Sequence, residues 1–406
     1  MIGIWIAFIL FVLVLLALDL GVFNRHAHVI TVGEALAWTG LWITLALAFN
    51  VAVYFMFDAH WQGIGGQIGR ELTGSQAALQ FLTGYVVEKS LSLDNIFVIA
   101  LIFSYFRVPA EYQHRVLFWG ILGALALRGA MIAGGTLLIQ RFEWITYVFG
   151  AFLIATAVKM LVARHDNLAP DKNPLIKLAR RWFSVSPDFQ GQKFFTNIDG
   201  RRAITPLMLV LLLVESTDVL FAVDSIPAIF AVTRDPFLVF TSNVFAILGL
   251  RSLYFALAGV MSRFRFLKMS LVFLLAFIGV KMLLAHHHPI PTPVSLAVIA
   301  GILSVGVLAS LLAAGRDTAP LASPLPEELG DLVELSYKQA KRIAAIIIGS
   351  TLLLTGIVML ALPGPGLLVI LAALAILGTE FLWARRLLKL VKTKAQQLGQ
   401  SLAGKP

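Results

Sequence analysis

The chain has 406 residues, 59% of them hydrophobic and only 13% charged, with a mean hydropathy of +0.88. Soluble globular chains carry nearly twice that charge, so a water-borne domain with one large apolar core is excluded. A net charge of +10 needs a basic surface but not nucleic acid, and the absence of cysteine excludes disulfides, thiolate catalysis and thiolate metal sites.

Runs of about 20 apolar residues, enough to cross the hydrocarbon core, recur along the whole chain. Helices are the only way to satisfy the backbone in runs of that length, and the short alternating segments of a β-barrel are missing. The predicted spans are 1–23, 33–57, 77–104, 116–139, 142–163, 204–230, 236–260, 266–285, 292–314, 342–362 and 366–384. The first, MIGIWIAFILFVLVLLALDLGVF, has no basic flank and no A-x-A pattern, so it reads as a retained span rather than a signal peptide. With the N-terminus outside, 24 Lys and Arg fall in inner segments or at the inner ends of spans, and Arg70, Arg141 and Arg234 fall in outer ones. This asymmetry places the C-terminus in the cytoplasm. The basic loop 164–202 reads as an ordinary cytoplasmic loop, with contact to anionic lipid as the alternative. The expected fold is therefore an all-α polytopic membrane protein of about 11 transmembrane helices.

Span three, YVVEKSLSLDNIFVIALIF, carries Glu88, Lys89, Asp94 and Asn95. Span six repeats its spacing: Asp218 and Asp224 in DVLFAVDS match Glu88 and Asp94 in EKSLSLDN. ALRGAM at Arg128 then pairs with GLRSLY at Arg251, and AFLIATAVKML at Lys159 with AFIGVKML at Lys281. Two units of three spans, 3–5 and 6–8, enter the membrane in opposite senses. That is the inverted-repeat plan of many secondary transporters.

Charges at mid-membrane are costly unless paired or hydrated, and they usually mark a pathway. Glu88, Ser92 and Asn95 share one helical face, as do Glu215 and Asp218. Together Glu88, Asp94, Glu215, Asp218 and Asp224 make a hard-oxygen set with Asn95, and Asp19 and Asn50 can face it. Such donors suit Mg²⁺, Ca²⁺ or Mn²⁺. Lys89, Arg128, Lys159, Arg251 and Lys281 are candidate charge partners when the site is empty. Lys159 and Lys281 lie near span ends, where snorkelling to the interface is an equal alternative. His286, His287 and His288 are candidate exit-side ligands or simply a polar span end before Pro289. Pro227 removes a backbone donor inside span six. No Walker or G-x-S-x-G sequence is present, so no enzymatic activity and no resident cofactor are expected.

GYVVEKSLSLDNIFV and VESTDVLFAVDSIPAIFAVT resemble the two signature stretches of the TerC family of integral membrane proteins, and LDLGVFNRHAH and EALAWTGLWITLALAFN resemble its first two spans. The likeness covers about 1–285. It implies kinship with the LysE-type exporter superfamily, a bacterial inner-membrane location and manganese export, with family acidic positions at Asp19, Glu88, Asp94, Glu215, Asp218 and Asp224 and Asn95 beside them. The expected function is export of a hard divalent cation, with Mn²⁺ as substrate rather than bound cofactor. The alternative is a membrane scaffold of a metal or tellurite stress-response complex whose buried charges are structural ion pairs. The expected partners are the lipid bilayer and the cation. The core is expected over 1–290, and a ninth span with a cytoplasmic linker over 291–341. A two-span PGPG hairpin with a basic tail follows over 342–406; it resembles the small PGPGW membrane family, with Leu367 in place of the Trp.

Overall fold

A computed structural model describes residues 2–18, 31–64, 72–162, 173–198, 200–258, 267–286 and 288–314, together with 370, 374 and 378. The chain divides into two compact units, Met1–Met261 with Leu275–Thr292, and Ser262–Leu274 with Pro293–Pro406. Eleven helices are described: α1 (Ile2–Leu18), α2 (Val32–Asp58), α3 (Gly74–Tyr105), α4 (Ala110–Arg141), α5 (Ile145–Val162), α6 (Pro174–Trp182), α7 (Pro206–Phe230), α8 (Pro236–Leu248), α9 (Leu250–Ala258), α10 (Leu267–Leu284) and α11 (Thr292–Ala314). Each of the first nine predicted spans contains helix. The predicted spans at 342–362 and 366–384 lie outside the described residues apart from the three isolated positions.

Five stretches are long and apolar enough to cross a membrane: Val32–Asp58, Ala110–Arg141, Pro206–Phe230, Pro236–Leu257 and Thr292–Ser310. The 32 residues of α3 have the length, about 48 Å at 1.5 Å per residue, but hold Glu88, Lys89 and Asp94 in their middle.

Local chemistry sets the helix starts. Thr73 and Gln76 form a reciprocal capping box at α3, with both hydrogen bonds at 3.3 Å. α6, α7 and α8 each begin with proline in the first turn, where a missing amide costs nothing. Asp235 caps α8 by accepting from the amides of Phe237 and Leu238 at 2.9 and 3.0 Å.

Two features refine the expected fold. Within predicted span 236–260, α8 ends at Leu248, Gly249 intervenes and α9 follows, and Pro236–Leu257 together remain one stretch long and apolar enough to cross a membrane. A Cβ at Gly249 would lie 2.8 Å from Lys89 Nζ and 3.2 Å from the Trp42 Cβ, so a larger residue there would have to push the lysine head aside. The fold is also not purely helical. Strands β1 (Ser184–Val185), β2 (Phe195–Ile198) and β3 (Arg201–Ile204) form a small sheet in the loop between α5 and α7, ordered β1-β3-β2. The Asp199-Gly200 pair between alternating residues is a hairpin signal, and Gly200 takes φ 75°, a conformation glycine adopts without strain.

In the first unit, α3 lies at the centre and packs against α2, α7 and α8, while α7 packs against α4. Apolar attraction between helices is weak in lipid, so shape and aromatic contact must supply the packing. Phe8, Phe49, Phe81, Phe237 and Phe245 interlock where α1, α2, α3 and α8 meet, with the Phe49 and Phe245 rings 4.7 Å apart. α5 and α10 cross at Gly150 and Gly279, where a Cβ on either would lie within 2.9 Å of the other's carbonyl oxygen.

Candidate functional site

Arg128, near the middle of α4, is the hub of the buried charges. Its guanidinium is only 2% exposed. One nitrogen pairs with the Glu88 carboxylate of α3 and also reaches Ser225 Oγ at 3.3 Å. The other two donate to both oxygens of Asp218 on α7, at 3.2 and 2.8 Å. The arginine thus joins Glu88 of EKSLSLDN and Asp218 of DVLFAVDS, using the planar fork that lysine lacks. Glu88 is fully buried, and the pairing satisfies only one of its oxygens.

Around this triad lie oxygens with no hydrogen-bond partner: Glu88 Oε2, Ser92 Oγ, Asn95 Oδ1 and Glu215 Oε2. Glu88, Ser92 and Asn95 are all buried, as their shared face on α3 predicts. The Glu215 carboxylate of α7 seats itself against Gly123 of α4, in the space a Cβ there would fill. Asn95, Thr217, Asp218 and Arg251 line a cavity of about 20 Å³, room for about one water molecule. Asp224 accepts from Thr156 of α5 at 3.0 Å. Asp94 is half-buried on α3 and engaged.

The remaining predicted charge partners do not join the triad. Lys89 donates to the Ala246 carbonyl at 3.2 Å, in the last turn of α8. Arg251 bonds His114 Nε2 at 2.8 Å. Lys159 is exposed, and Lys281 lines a separate, larger cavity. His286 stacks on Tyr147 with ring centroids 5.1 Å apart, and His288 is exposed. Asp19 and His287 lie outside the described residues. Among the described residues, no three His, Asp or Glu side chains gather closely enough to enclose a metal ion. Arg128 occupies the ground between Glu88 and Asp218 that the expected ligand cluster requires.

Sequence reading also passed over three participants. Gly123 makes room for Glu215 and carries no signal beyond being a glycine in a span. Thr156 holds Asp224. Asn173 caps α6 through its Oδ1 and donates to Ser216 Oγ at 2.8 Å, beside Glu215.

A bundle of apolar helices with a buried arginine–dicarboxylate triad joining three of them defines a multi-pass integral membrane protein. The family model of the integral membrane protein TerC family matches residues 73–318, and the chain belongs to that family. The family model "Putative transmembrane protein (PGPGW)" matches residues 342–394. Among relatives, "Uncharacterized membrane protein STKORF319" of Myxococcus xanthus is 53% identical over 310 residues, 76% of this chain and 92% of that protein. "Putative membrane-bound redox modulator Alx" of Escherichia coli K12 is 50% identical over 300 residues, 74% of this chain and 91% of that one. An "Uncharacterized membrane protein" of Rickettsia bellii is 39% identical over 308 residues, 76% and 97% of the two chains. No solved structure matches the chain.

Proposed function

We propose that the chain is a transporter that exports a hard divalent cation, manganese in the first instance, across a bacterial inner membrane by a path between α3 and α7. The observation that carries this reading is the set of buried oxygens without partners, Glu88 Oε2, Ser92 Oγ, Asn95 Oδ1 and Glu215 Oε2, beside a carboxylate pair that a single arginine holds. Unpaired oxygens in a dry interior cost about 1–3 kcal/mol each, and a cation would satisfy several at once. Arg128 supplies the positive charge between Glu88 and Asp218, and cation entry requires it to release one of them.

Two sequence units of opposed insertion explain how one site could face either side. The packing of α3 on α8 mirrors that of α7 on α4, each first helix of a unit against the second helix of the other. Asp94, Asp224 and Asp19 are the further acids expected to meet the moving ion.

The competing reading, a scaffold with structural ion pairs, draws on the same triad and on the absence of a three-acid cluster among the described residues. Relatives bear the name redox modulator; this chain has no cysteine, so a redox effect through its own thiols is excluded. One experiment separates the readings. Proteoliposomes containing the wild type should move Mn²⁺, while Asp94→Ala and Asp224→Ala should insert at wild-type levels and lose flux. Normal flux in both variants, or lost insertion without a separate loss of flux, favours the scaffold.

A further inference from the structure

A cavity of about 660 Å³ opens where the last turn of α7, the first turns of α5 and α8 and the last turn of α10 meet. At about 30 Å³ per water in the liquid, it is far larger than one hydrated ion needs. Its walls are largely apolar, including Phe230, Val232, Met282 and Ile290. Set into them are Lys281, Arg234, Gln80 and Thr146.

Lys281 is the telling residue. Its side chain is 8% exposed, yet among the described residues it has no carboxylate within ion-pairing distance and donates no hydrogen bond. An ammonium buried without a partner costs several kcal/mol, and at a span end it would ordinarily snorkel outward. Thr146 Oγ1 is buried at the same cavity and also lacks a partner. Arg234 stands exposed at the wall, and His286 adds a second nitrogen base. The one acid lining the cavity among the described residues, Asp235, already spends an oxygen on the α8 amides. Burial lifts its pKa above the ordinary carboxylate value, although those backbone donors pull it the other way. The cavity is therefore cationic where the triad is anionic, and it is a poor exit for a metal ion.

We infer that this cavity is an anion site: Lys281 and Thr146 at its base and Arg234 at its wall bind an oxyanion of the phosphate class, and the apolar wall accommodates whatever body the anion carries. The group comes either from a free oxyanion or from the headgroup of an anionic phospholipid. The inference stands apart from the cation reading, since none of its residues belongs to the Arg128 triad.

The test uses the full chain in an uncharged maltoside detergent, stripped of lipid, with unfolding followed by tryptophan fluorescence. One arm adds inorganic phosphate against chloride at matched ionic strength. The other adds phosphatidylglycerol against phosphatidylcholine in mixed micelles. The expected result is a saturable rise in Tm in at least one arm, with half-saturation at least tenfold weaker in Lys281→Met and severalfold weaker in Arg234→Gln. Saturation by phosphate assigns a free oxyanion, and saturation by phosphatidylglycerol alone assigns the headgroup. Asp94→Ala should respond as the wild type does, which keeps this result independent of Mn²⁺ flux. No saturable response in either arm, or an unchanged response in Lys281→Met, overturns the inference. Should Lys281→Met fail to accumulate, Arg234→Gln decides: its side chain is exposed, and an unchanged half-saturation there overturns it equally.

Discussion

Arg128→Met tests the centre of the structure. It keeps the apolar stem and removes the guanidinium that neutralises Glu88, which is fully buried, and Asp218, whose side chain is 12% exposed. Removing one partner of a buried ion pair costs about 3–5 kcal/mol. Two carboxylates lose their shared partner here, so the upper end applies, and about 5 kcal/mol is a shift of more than a thousandfold in the folding equilibrium. The measurement is the midpoint of unfolding by SDS in mixed micelles. Arg128→Lys should fall between wild type and Arg128→Met, because it restores charge but not the fork that meets both Asp218 oxygens. The triple variant E88Q/R128M/D218N should recover most of the loss, since neutral groups of similar shape have no charge left to strand. An Arg128→Met midpoint equal to wild type, or a triple variant no better than Arg128→Met, would refute the triad as the main stabilising contact between α3, α4 and α7.

Three further outcomes follow from single contacts. Gly123→Ala should displace the Glu215 carboxylate and lower folded yield or Mn²⁺ flux, whereas Gly134→Ala on the same helix, with nothing within 4 Å of the new methyl, should behave as wild type; equal behaviour of the two would contradict the seat. Gly279→Ala places a methyl 2.7 Å from Ile154 Cγ1 and 2.8 Å from the Gly150 carbonyl oxygen, and overpacking of this kind should lower stability by about 1–3 kcal/mol in the same SDS assay. Asn173→Ala removes the α6 cap, worth about 0.5–2 kcal/mol, and the bond to Ser216; amide exchange should rise in α6 and leave α3 unchanged, and uniform protection would sink that assignment.

The sequence by itself determined the class of protein, because hydropathy and span length are local properties of ~20 residues. It put helix in each of the first nine predicted spans, and it placed Glu88, Ser92 and Asn95 on one buried face through the 3.6-residue period. The hairpin at Phe195–Ile204 falls where the basic charges mark a cytoplasmic loop, and the Asp199-Gly200 signal within it went unread. Only the tertiary structure decided which partner each charge takes. Of the five candidate basic residues, Arg128 and Arg251 share one motif and Lys159 and Lys281 another, and spacing gives all five equal claims on the acids. In the folded chain Arg128 takes Glu88 and Asp218, Lys89 takes the Ala246 carbonyl in the last turn of α8, Arg251 takes His114, and Lys281 turns into a cavity of its own. Partner choice depends on which helices cross and at what height, contacts that join residues up to 157 positions apart. A periodicity measured along one helix holds no information about them.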